Sequence, residues 1–141
     1  MMTVHASGGQ KMLEESVAAT INTDIKIFGV TALTSLSDAD TNFIYQREAK
    51  EQVLAMIELA KKSSIHGVVC SPQELSLVKN NSNLLTITPG IRLKSLDDDQ
   101  TRVMTPKEAI DNGSDFLVIG RPITASNNIK NSLKEIYDSI Q

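Results

Sequence analysis

The sequence predicts an α/β fold in which parallel strands alternate with helices. Short β-branched apolar runs, bounded by glycine or proline, are separated by segments whose apolar residues recur at helical spacing. The apolar runs are continuous, which is typical of parallel strands covered on both faces. Strand–helix alternation implies right-handed crossovers, so we expect either an open doubly wound sheet or part of a closed (β/α)8 barrel.

Five strands and five helices are predicted in alternation. The strands, all expected to be buried, are residues 1–4, 25–30, 67–70, 84–88 and 116–119. The clearest helix covers residues 47–62, because its apolar residues share one face. Those residues are Ala49, Val53, Met56, Ile57 and Ala60.

The other helices are predicted from their ends and their spacing. Residues 71–74 and 105–108 each match a capping box with proline at the first helical position. The second of these helices is predicted to end at Asn112 and Gly113. A shorter helix is predicted over 10–20, and a final amphipathic helix over 128–140. Its apolar residues are Ile129, Leu133, Ile136 and Ile140.

The composition is that of an ordinary globular protein, and we expect residues 1–141 to form one domain. A net charge of −3 and 4% aromatic residues argue against a nucleic-acid partner. No apolar run approaches the ~18 residues that span a membrane, and the N-terminus lacks a signal-peptide pattern. The single Cys70 excludes an internal disulfide and favours a reducing compartment. We therefore expect a cytoplasmic protein with no membrane partner.

Two neighbouring strand ends carry glycine close to arginine. Gly90 and Arg92 follow the fourth predicted strand, and Gly120 and Arg121 follow the fifth. Glycine lets backbone N–H groups approach an anion, and the planar arginine fork matches phosphate oxygens. Each pair alone is equally compatible with a tight turn and a surface arginine. Together they predict a phosphate clamp, such as the one after the last two strands of many barrels.

A long polar loop over residues 93–104 follows the first of these motifs. Long loops in compact domains often act as lids. The alternative is an acidic loop that is simply exposed to solvent. The three aspartates at 97–99 would repel a phosphate. We therefore expect the ligand contact to come from Gln100 or Arg102.

The remaining polar residues give weaker signals. Thr34 and Ser35 follow the second strand, where their hydroxyls could contact a ligand or could cap the next helix or turn. His5 lies in a glycine-bounded turn without the pattern of a nucleophile elbow. His66 precedes an apolar strand and is predicted to be structural. No spacing of metal-ligating residues suggests a metal site.

Six segments, in order, resemble bacterial orotidine 5′-phosphate decarboxylases. They are residues 3–9, 30–35, 67–71, 88–92, 100–106 and 118–124. Each segment is weakly specific, but six in register over nearly the whole chain make a strong resemblance. It implies a (β/α)8 TIM barrel that acts as a homodimer, of which this chain is the C-terminal part with about five βα units.

The resemblance also implies an activity and a set of contacts. The family, a lyase of de novo pyrimidine biosynthesis, converts orotidine 5′-monophosphate to UMP and CO2 without metal or organic cofactor. By resemblance, Thr34 contacts the pyrimidine, and Arg92 and Arg121 bind the phosphate. Gly120 supplies backbone contacts, and Gln100 bridges the phosphate and the base.

The family's catalytic motif is not matched. That motif is D-x-K-x-x-D on the third strand, helped by Asp and Lys from the first two strands, and its lysine protonates the carbanion as CO2 leaves. The first strand of this chain resembles the family's fourth. Asp24 and Lys26 form D-x-K on another strand without the final aspartate, and we interpret this match as coincidence. The resemblance therefore implies no catalytic residue in this chain.

Five strands cannot close a barrel that normally has eight strands and about 250 residues. We expect two open sheet edges and exposed apolar faces. We hypothesise that the chain is a portion of a decarboxylase. It would have arisen by gene truncation, by a misplaced start or by the choice of the expressed segment. Alone it is expected to be inactive, and poorly folded or self-associated.

Three other functions stay open. The chain could be a half barrel that binds nucleotide phosphate without turnover. It could belong to another phosphate-binding-barrel enzyme, such as a sugar-phosphate decarboxylase. It could also be a subunit that pairs with a separately encoded N-terminal part.

Overall fold

The structure, a computed structural model, describes residues 1–93 and 103–141. The strands in these ranges are β1 Met2–His5, β2 Ile27–Val30, β3 Gly67–Val69, β4 Leu85–Thr88 and β5 Phe116–Leu117. The helices are α1 Gln10–Ala18, α2 Asp38–Tyr45, α3 Ala49–Lys62, α4 Leu75–Asn81, α5 Pro106–Asp111, α6 Arg121–Thr124 and α7 Ile129–Ser139. Two 3-10 turns, Ala6–Gly8 and Pro72–Glu74, complete the described elements.

The five strands form one parallel sheet in the order β1-β2-β3-β4-β5. The predicted strand–helix alternation is confirmed. Every connection advances by one strand in the same direction, so right-handed crossovers place the helices on one face. A doubly wound sheet reverses direction at a switch point, and this sheet does not. The doubly wound alternative is therefore wrong, and the sheet has the order expected of a partial (β/α)8 barrel.

The sheet is curved. Phe28 on β2 and Phe116 on β5 meet edge to face on the side away from the helices, with ring centroids 6.0 Å apart. In a flat sheet, strands three positions apart are separated by about 14 Å. The ring contact therefore requires the strands to curl toward each other, as they do in a barrel wall.

The main core lies between the convex face of the sheet and the helices. The predicted apolar face of α3 is confirmed, because all five of its residues are buried. Three of them, Val53, Ile57 and Ala60, belong to one apolar cluster with residues of the sheet, its loops and the other helices. The remaining members of this cluster are Leu13, Ile27, Ala32, Ile65, Val68, Cys70, Leu75, Val78, Leu84, Ile91 and Ala109.

Both predicted capping boxes are present. The backbone N–H of Ser71 donates to Glu74 Oε2 (3.0 Å), and this box begins the 3-10 turn that leads into α4. At α5, Thr105 and Glu108 exchange backbone-to-side-chain bonds of 2.9 and 3.3 Å. As predicted, α5 ends at Asp111, and Gly113 follows with φ +92.

Helix α2 was not predicted. It begins with a third capping box, in which the Asp40 carboxylate accepts the backbone N–H of Ser37 (3.0 Å). The Ser37 hydroxyl in turn accepts the N–H of Asp40 (3.2 Å). A Ser-x-x-Asp pattern is itself a capping signal, so residues 37–40 contained the evidence for this helix.

The two edge strands are exposed, contrary to the prediction that all strands are buried. Three of the four residues of β1 are exposed, and Phe116 of β5 is 38% exposed. In contrast, Ile27, Phe28 and Gly29 of β2 are buried. β1 and β5 are exposed because, in the described sheet, each has a neighbouring strand on one side only.

The predicted apolar face of the last helix is only partly covered. Ile136 is buried, but Ile129 and Leu133 are 52% and 48% exposed. The helical spacing was correct, and α7 forms where it was expected. Exposed apolar residues thus lie on α7 as well as on the two edge strands.

Two polar contacts fasten the sheet where its strands begin, which we call the amino edge. His66 Nδ1 accepts the backbone N–H of Ile27 (3.0 Å), and the His66 N–H donates to the Ile27 carbonyl (3.0 Å). The structural role predicted for His66 is thus confirmed. Asp115 Oδ2 accepts the Thr86 N–H and Lys79 Nζ, each at 2.7 Å.

Candidate functional site

The described site residues follow the carboxyl ends of the strands, which we call the carboxyl edge. Arg92 follows β4, and Gly120 and Arg121 follow β5, the neighbouring strand. Thr34 follows β2, which is separated from β4 by β3. The structure thus brings the two glycine–arginine motifs to adjacent strand ends. Gln100, as well as Arg102, lies outside the described residues.

Thr34 lies in a turn after β2. The Leu36 N–H donates to the Leu33 carbonyl (3.0 Å), so Thr34 and Ser35 occupy the centre of this turn. Thr34 is half-buried, and Ser35 is exposed. The N-cap of the next helix is Ser37. The alternative that Thr34 or Ser35 caps the next helix is therefore wrong, and Thr34 lies at the carboxyl edge.

Two backbone hydrogen bonds join the ends of the long loop. The Arg92 N–H donates to the Met104 carbonyl (3.0 Å), and the Met104 N–H donates to the Gly90 carbonyl (3.3 Å). Gly90 has φ +79, a conformation that glycine adopts without strain. The loop therefore starts and finishes at a fixed point beside β4.

Arg92 is a buried cation at this point. Its side chain is 5% exposed, and Nη1 donates to the Ile91 carbonyl (2.9 Å). This hydrogen bond orients the guanidinium from within the protein. Reduced solvation strengthens the attraction between such a cation and an anion. The sequence predicts Arg92 as a site residue but does not indicate that it is buried.

Gly120 is a glycine with open space beside it. A Cβ atom placed there would meet no heavy atom within 4 Å. Gly67 on β3 is different, because a Cβ there would collide with the Leu85 carbonyl oxygen. The open space beside Gly120 would allow a ligand to approach the backbone closely.

Arg121 is the first residue of α6 and is exposed. The Gly120 carbonyl accepts the N–H groups of Ile123 (2.8 Å) and Thr124 (3.0 Å), so the chain turns into the helix directly after β5. A helix of only four residues has a weak dipole, and Pro122 has no N–H. The positive charge near Gly120 therefore comes from arginine.

Cys70 follows β3, between the turn after β2 and the loop after β4. Burial, with a smaller effect of the Glu74 charge, raises the pKa of the Cys70 thiol to about 12. A thiol with this pKa stays protonated at neutral pH and is a poor nucleophile. Its chemistry here is that of a small apolar side chain.

Asp24 and Lys26 both precede β2, on the amino side of the sheet, and both are exposed. The described residues that are predicted to contact the ligand lie on the carboxyl side. This placement agrees with the interpretation that the D-x-K match is coincidental.

An open groove of about 450 Å³ lies elsewhere, between helix surfaces. Its lining comes from the start of α2, the start of α3 and the region of α4. These residues are Asp38, Ala49, Lys50, Gln73, Glu74, Ser76, Leu77 and Asn80. None of the predicted site residues that the structure describes lines it.

Over residues 1–93 and 103–141, no three or more His, Cys, Asp or Glu side chains are grouped so that they could hold a metal ion. Across the same ranges, every helix is too short or too polar to cross a bilayer.

The fold matches solved structures of decarboxylases. The crystal structure of orotidine 5′-phosphate decarboxylase from Lactobacillus acidophilus superposes with a TM-score of 0.80 at 35% identity. That match covers 99% of this chain and 62% of the other chain. The enzyme from Thermotoga maritima, at 24% identity and a TM-score of 0.68, shares the fold over 96% of this chain and 58% of its own. The curved sheet is thus part of a TIM barrel.

Curated protein sequences match this chain to the same enzymes as the solved structures do. Orotidine 5′-phosphate decarboxylase from Wolbachia pipientis is 47% identical over 143 residues, which cover 99% of this chain and 63% of that protein. The one from Dictyoglomus thermophilum is 41% identical over 158 residues, covering 99% and 65%. The chain therefore spans less than two thirds of these relatives. The sequence profile of the orotidine 5′-phosphate decarboxylase / HUMPS family matches residues 1–136. The chain belongs to this family.

Proposed function

We propose that this chain supplies the phosphate and pyrimidine contacts of an enzyme that decarboxylates orotidine 5′-monophosphate to UMP and CO2 in pyrimidine biosynthesis. The observation that carries the proposal is the pair of adjacent strand ends at β4 and β5. One end holds the buried cation Arg92, and the other holds Gly120, beside open space, and Arg121. Two cations and an accessible backbone are the groups that a phosphate monoester needs.

Within this proposal, each residue has a distinct role. Arg92 and Arg121 neutralise the phosphate, and the backbone at Gly120 contacts its oxygens. Thr34, on the same edge of the sheet, contacts the pyrimidine, and Gln100 links the phosphate to the base. Binding energy from a remote phosphate can then hold the reacting ring in place.

The bond-breaking step is proposed to use groups outside these contacts. The bond between the ring and the carboxylate breaks, CO2 leaves, and the electron pair stays on the ring carbon until it takes a proton. In the family, that proton comes from a lysine beside aspartates, and the D-x-K-x-x-D motif that carries it is not found in these 141 residues. We therefore propose that the chain binds the nucleotide and that chemistry needs a segment with this motif. By the family resemblance, we also propose a cytoplasmic homodimer with a small-molecule substrate.

The test compares UMP with uridine by calorimetric titration of the 141-residue chain. UMP is expected to bind more tightly than uridine, because only UMP offers the phosphate. Arg121→Ala should weaken UMP binding by about 10- to 100-fold, corresponding to the loss of one charge-assisted hydrogen bond. Gly120→Val should also weaken it by filling the open space.

The matched control is Lys130→Ala, which removes an exposed cation from α7. It should leave UMP affinity unchanged. Equal affinities for UMP and uridine, or equal effects of the Arg121 and Lys130 variants, would reject the phosphate site. Release of CO2 by this chain alone, at the rate of a complete decarboxylase, would contradict the need for a further segment.

A further inference from the structure

Thr31 is the first residue after β2, and it precedes Thr34 by three positions. Its backbone N–H donates to the Val69 carbonyl (3.1 Å), and its hydroxyl donates to the same carbonyl (2.9 Å). Val69 is the last residue of β3, the strand next to β2. Thr31 therefore ties the carboxyl end of β2 to the carboxyl end of β3 with two donors.

The Thr31 hydroxyl lies inside the protein and is not accessible to a ligand. The Thr31 side chain is 2% exposed, and the next residue, Ala32, is 2% exposed within the apolar core cluster. The Val69 carbonyl already has the Thr31 N–H as a donor, so the hydroxyl is not needed to satisfy it. The second hydrogen bond instead fixes the rotamer of a β-branched side chain where the strand becomes a loop. The hydroxyl thus holds the point and the direction at which the chain leaves the sheet.

The loop that starts at this point is short and carries Thr34. The Leu36 N–H donates to the Leu33 carbonyl (3.0 Å) around Thr34, and α2 follows directly, with Ser37 as its N-cap. The loop is therefore fixed on the helix side by the capping box and on the sheet side by Thr31. Three residues span at most about 11 Å, so a change of direction at Thr31 displaces the Thr34 side chain.

We propose that Thr31 is a positioning residue, which sets the place of the Thr34 hydroxyl by holding the end of β2 against β3. Thr31 does not touch the nucleotide, and it acts through the turn that carries Thr34. This inference rests on the proposed function, because it takes Thr34 as the group that contacts the pyrimidine. The Thr31 hydroxyl should therefore matter for binding of the base. It should not matter for binding of the phosphate, whose proposed contacts follow β4 and β5.

The test removes the hydroxyl and keeps the shape of the side chain. Thr31→Val retains the β-branch and the backbone N–H, and it loses the 2.9 Å hydrogen bond. Calorimetric titration of the 141-residue chain compares UMP with ribose 5-phosphate, which has the phosphate but no base. Thr31→Val should weaken UMP binding about three- to tenfold and leave ribose 5-phosphate binding unchanged. Thr31→Ser keeps a hydroxyl and should retain most of the UMP affinity.

Thr20→Val is the matched control. Thr20 follows α1 and is 8% exposed, and its N–H and its hydroxyl both donate to the Val17 carbonyl (2.9 Å each). The variant therefore removes the same kind of hydrogen bond from the connection that leads to the start of β2, at the amino edge. It should lower stability about as much as Thr31→Val does and leave the affinity for both ligands unchanged. Equal effects of the two variants on UMP binding would overturn the proposal.

A double-mutant cycle separates positioning from general stability. Thr34→Ala removes the hydroxyl that Thr31 is proposed to position. If Thr31 acts through Thr34, Thr31→Val should have little further effect on UMP affinity once Thr34→Ala is present. The same fold loss of affinity with and without Thr34→Ala would contradict the positioning role.

Amide hydrogen exchange of the ligand-free chain follows the turn directly. The Leu36 N–H should exchange faster in Thr31→Val, but not in Thr20→Val or Thr31→Ser. Unchanged exchange at Leu36 in Thr31→Val would overturn the proposal, whatever the binding data. The proposed function fails in a different way. A chain that binds UMP and uridine equally, while Leu36 exchange still responds to Thr31→Val, would count against the phosphate site and support the hold of Thr31 on the turn.

Discussion

At the scale of single residues, Asp115 joins three elements. Its carboxylate accepts hydrogen bonds from the Thr86 N–H, the Thr86 hydroxyl (2.9 Å) and Lys79 Nζ. Partial burial raises the pKa of Asp115, but the hydrogen bonds from Lys79 and Thr86 outweigh burial and hold the pKa below its ordinary value. The folded protein therefore favours the ionised carboxylate.

This linkage predicts a pH-dependent stability. A group with a lowered folded-state pKa stabilises the fold above its unfolded pKa, which is about 3.9 for aspartate, and the contribution is lost as the pH falls through the folded value. Asp115→Asn should cost about 1 kcal/mol at pH 7, and the cost should shrink below about pH 4. Urea unfolding of the unmodified protein and the variant at several pH values from 7 to 3 measures this cost and its change with pH.

The control for this prediction is Asp111→Asn. Asp111 pairs with Lys107 at 3.2 Å on the surface of α5, and both side chains are well exposed. Exposed pairs of this kind contribute little, so this variant should change stability only slightly at any pH. An equal cost for both variants would show that Asp115 has no special role.

The sequence indicated which residues are candidates for the site, but it did not indicate their surroundings. Arg92 and Gly120 were identified from glycine next to arginine at strand ends. The burial of Arg92 and the open space beside Gly120 were not predictable, because both depend on residues that are distant in the chain. Gly67 and Gly120 are the same residue type in sequence, but only Gly67 is required by packing.

At the scale of elements, the beginnings of helices are set by capping boxes. At α5, the Thr105 hydroxyl and backbone donate to Glu108, and these bonds lower the pKa of the Glu108 carboxyl. Thr105→Ala should destabilise the protein by about 1 kcal/mol, whereas Thr105→Ser keeps the hydroxyl and should cost much less. Thermal unfolding of the two variants measures the difference, and equal melting temperatures would contradict it.

Capping also explains which helices could be predicted. The boxes at 71–74 and 105–108 have glutamate at the third helical position and proline at the first. The box at 37–40 has aspartate and no proline, and α2 was missed. The exposure of the edge strands could not be predicted in the same way. An apolar run predicts a strand, but it does not tell whether that strand has one neighbouring strand or two.

At the scale of the whole molecule, stability should be highest in the middle of the sheet. β3 has a neighbour on both sides, whereas β1 and β5 have one each in the described sheet. Amide hydrogen exchange followed by NMR should therefore be slowest at Val68 and fastest, among strand residues, at Thr3 and Leu117. Similar protection in β1 and β3 would contradict this gradient.

The amino edge and the carboxyl edge of the sheet carry different kinds of residue. His66 and Asp115 fasten the strands at the amino edge, and Arg92 and Gly120 lie at the carboxyl edge. Engineering for thermal tolerance can therefore concentrate on the amino edge, where changes are remote from the proposed ligand contacts. Altered ligand preference can be sought in the turns after β2, β4 and β5. Libraries built on this separation could vary affinity and robustness independently in one scaffold.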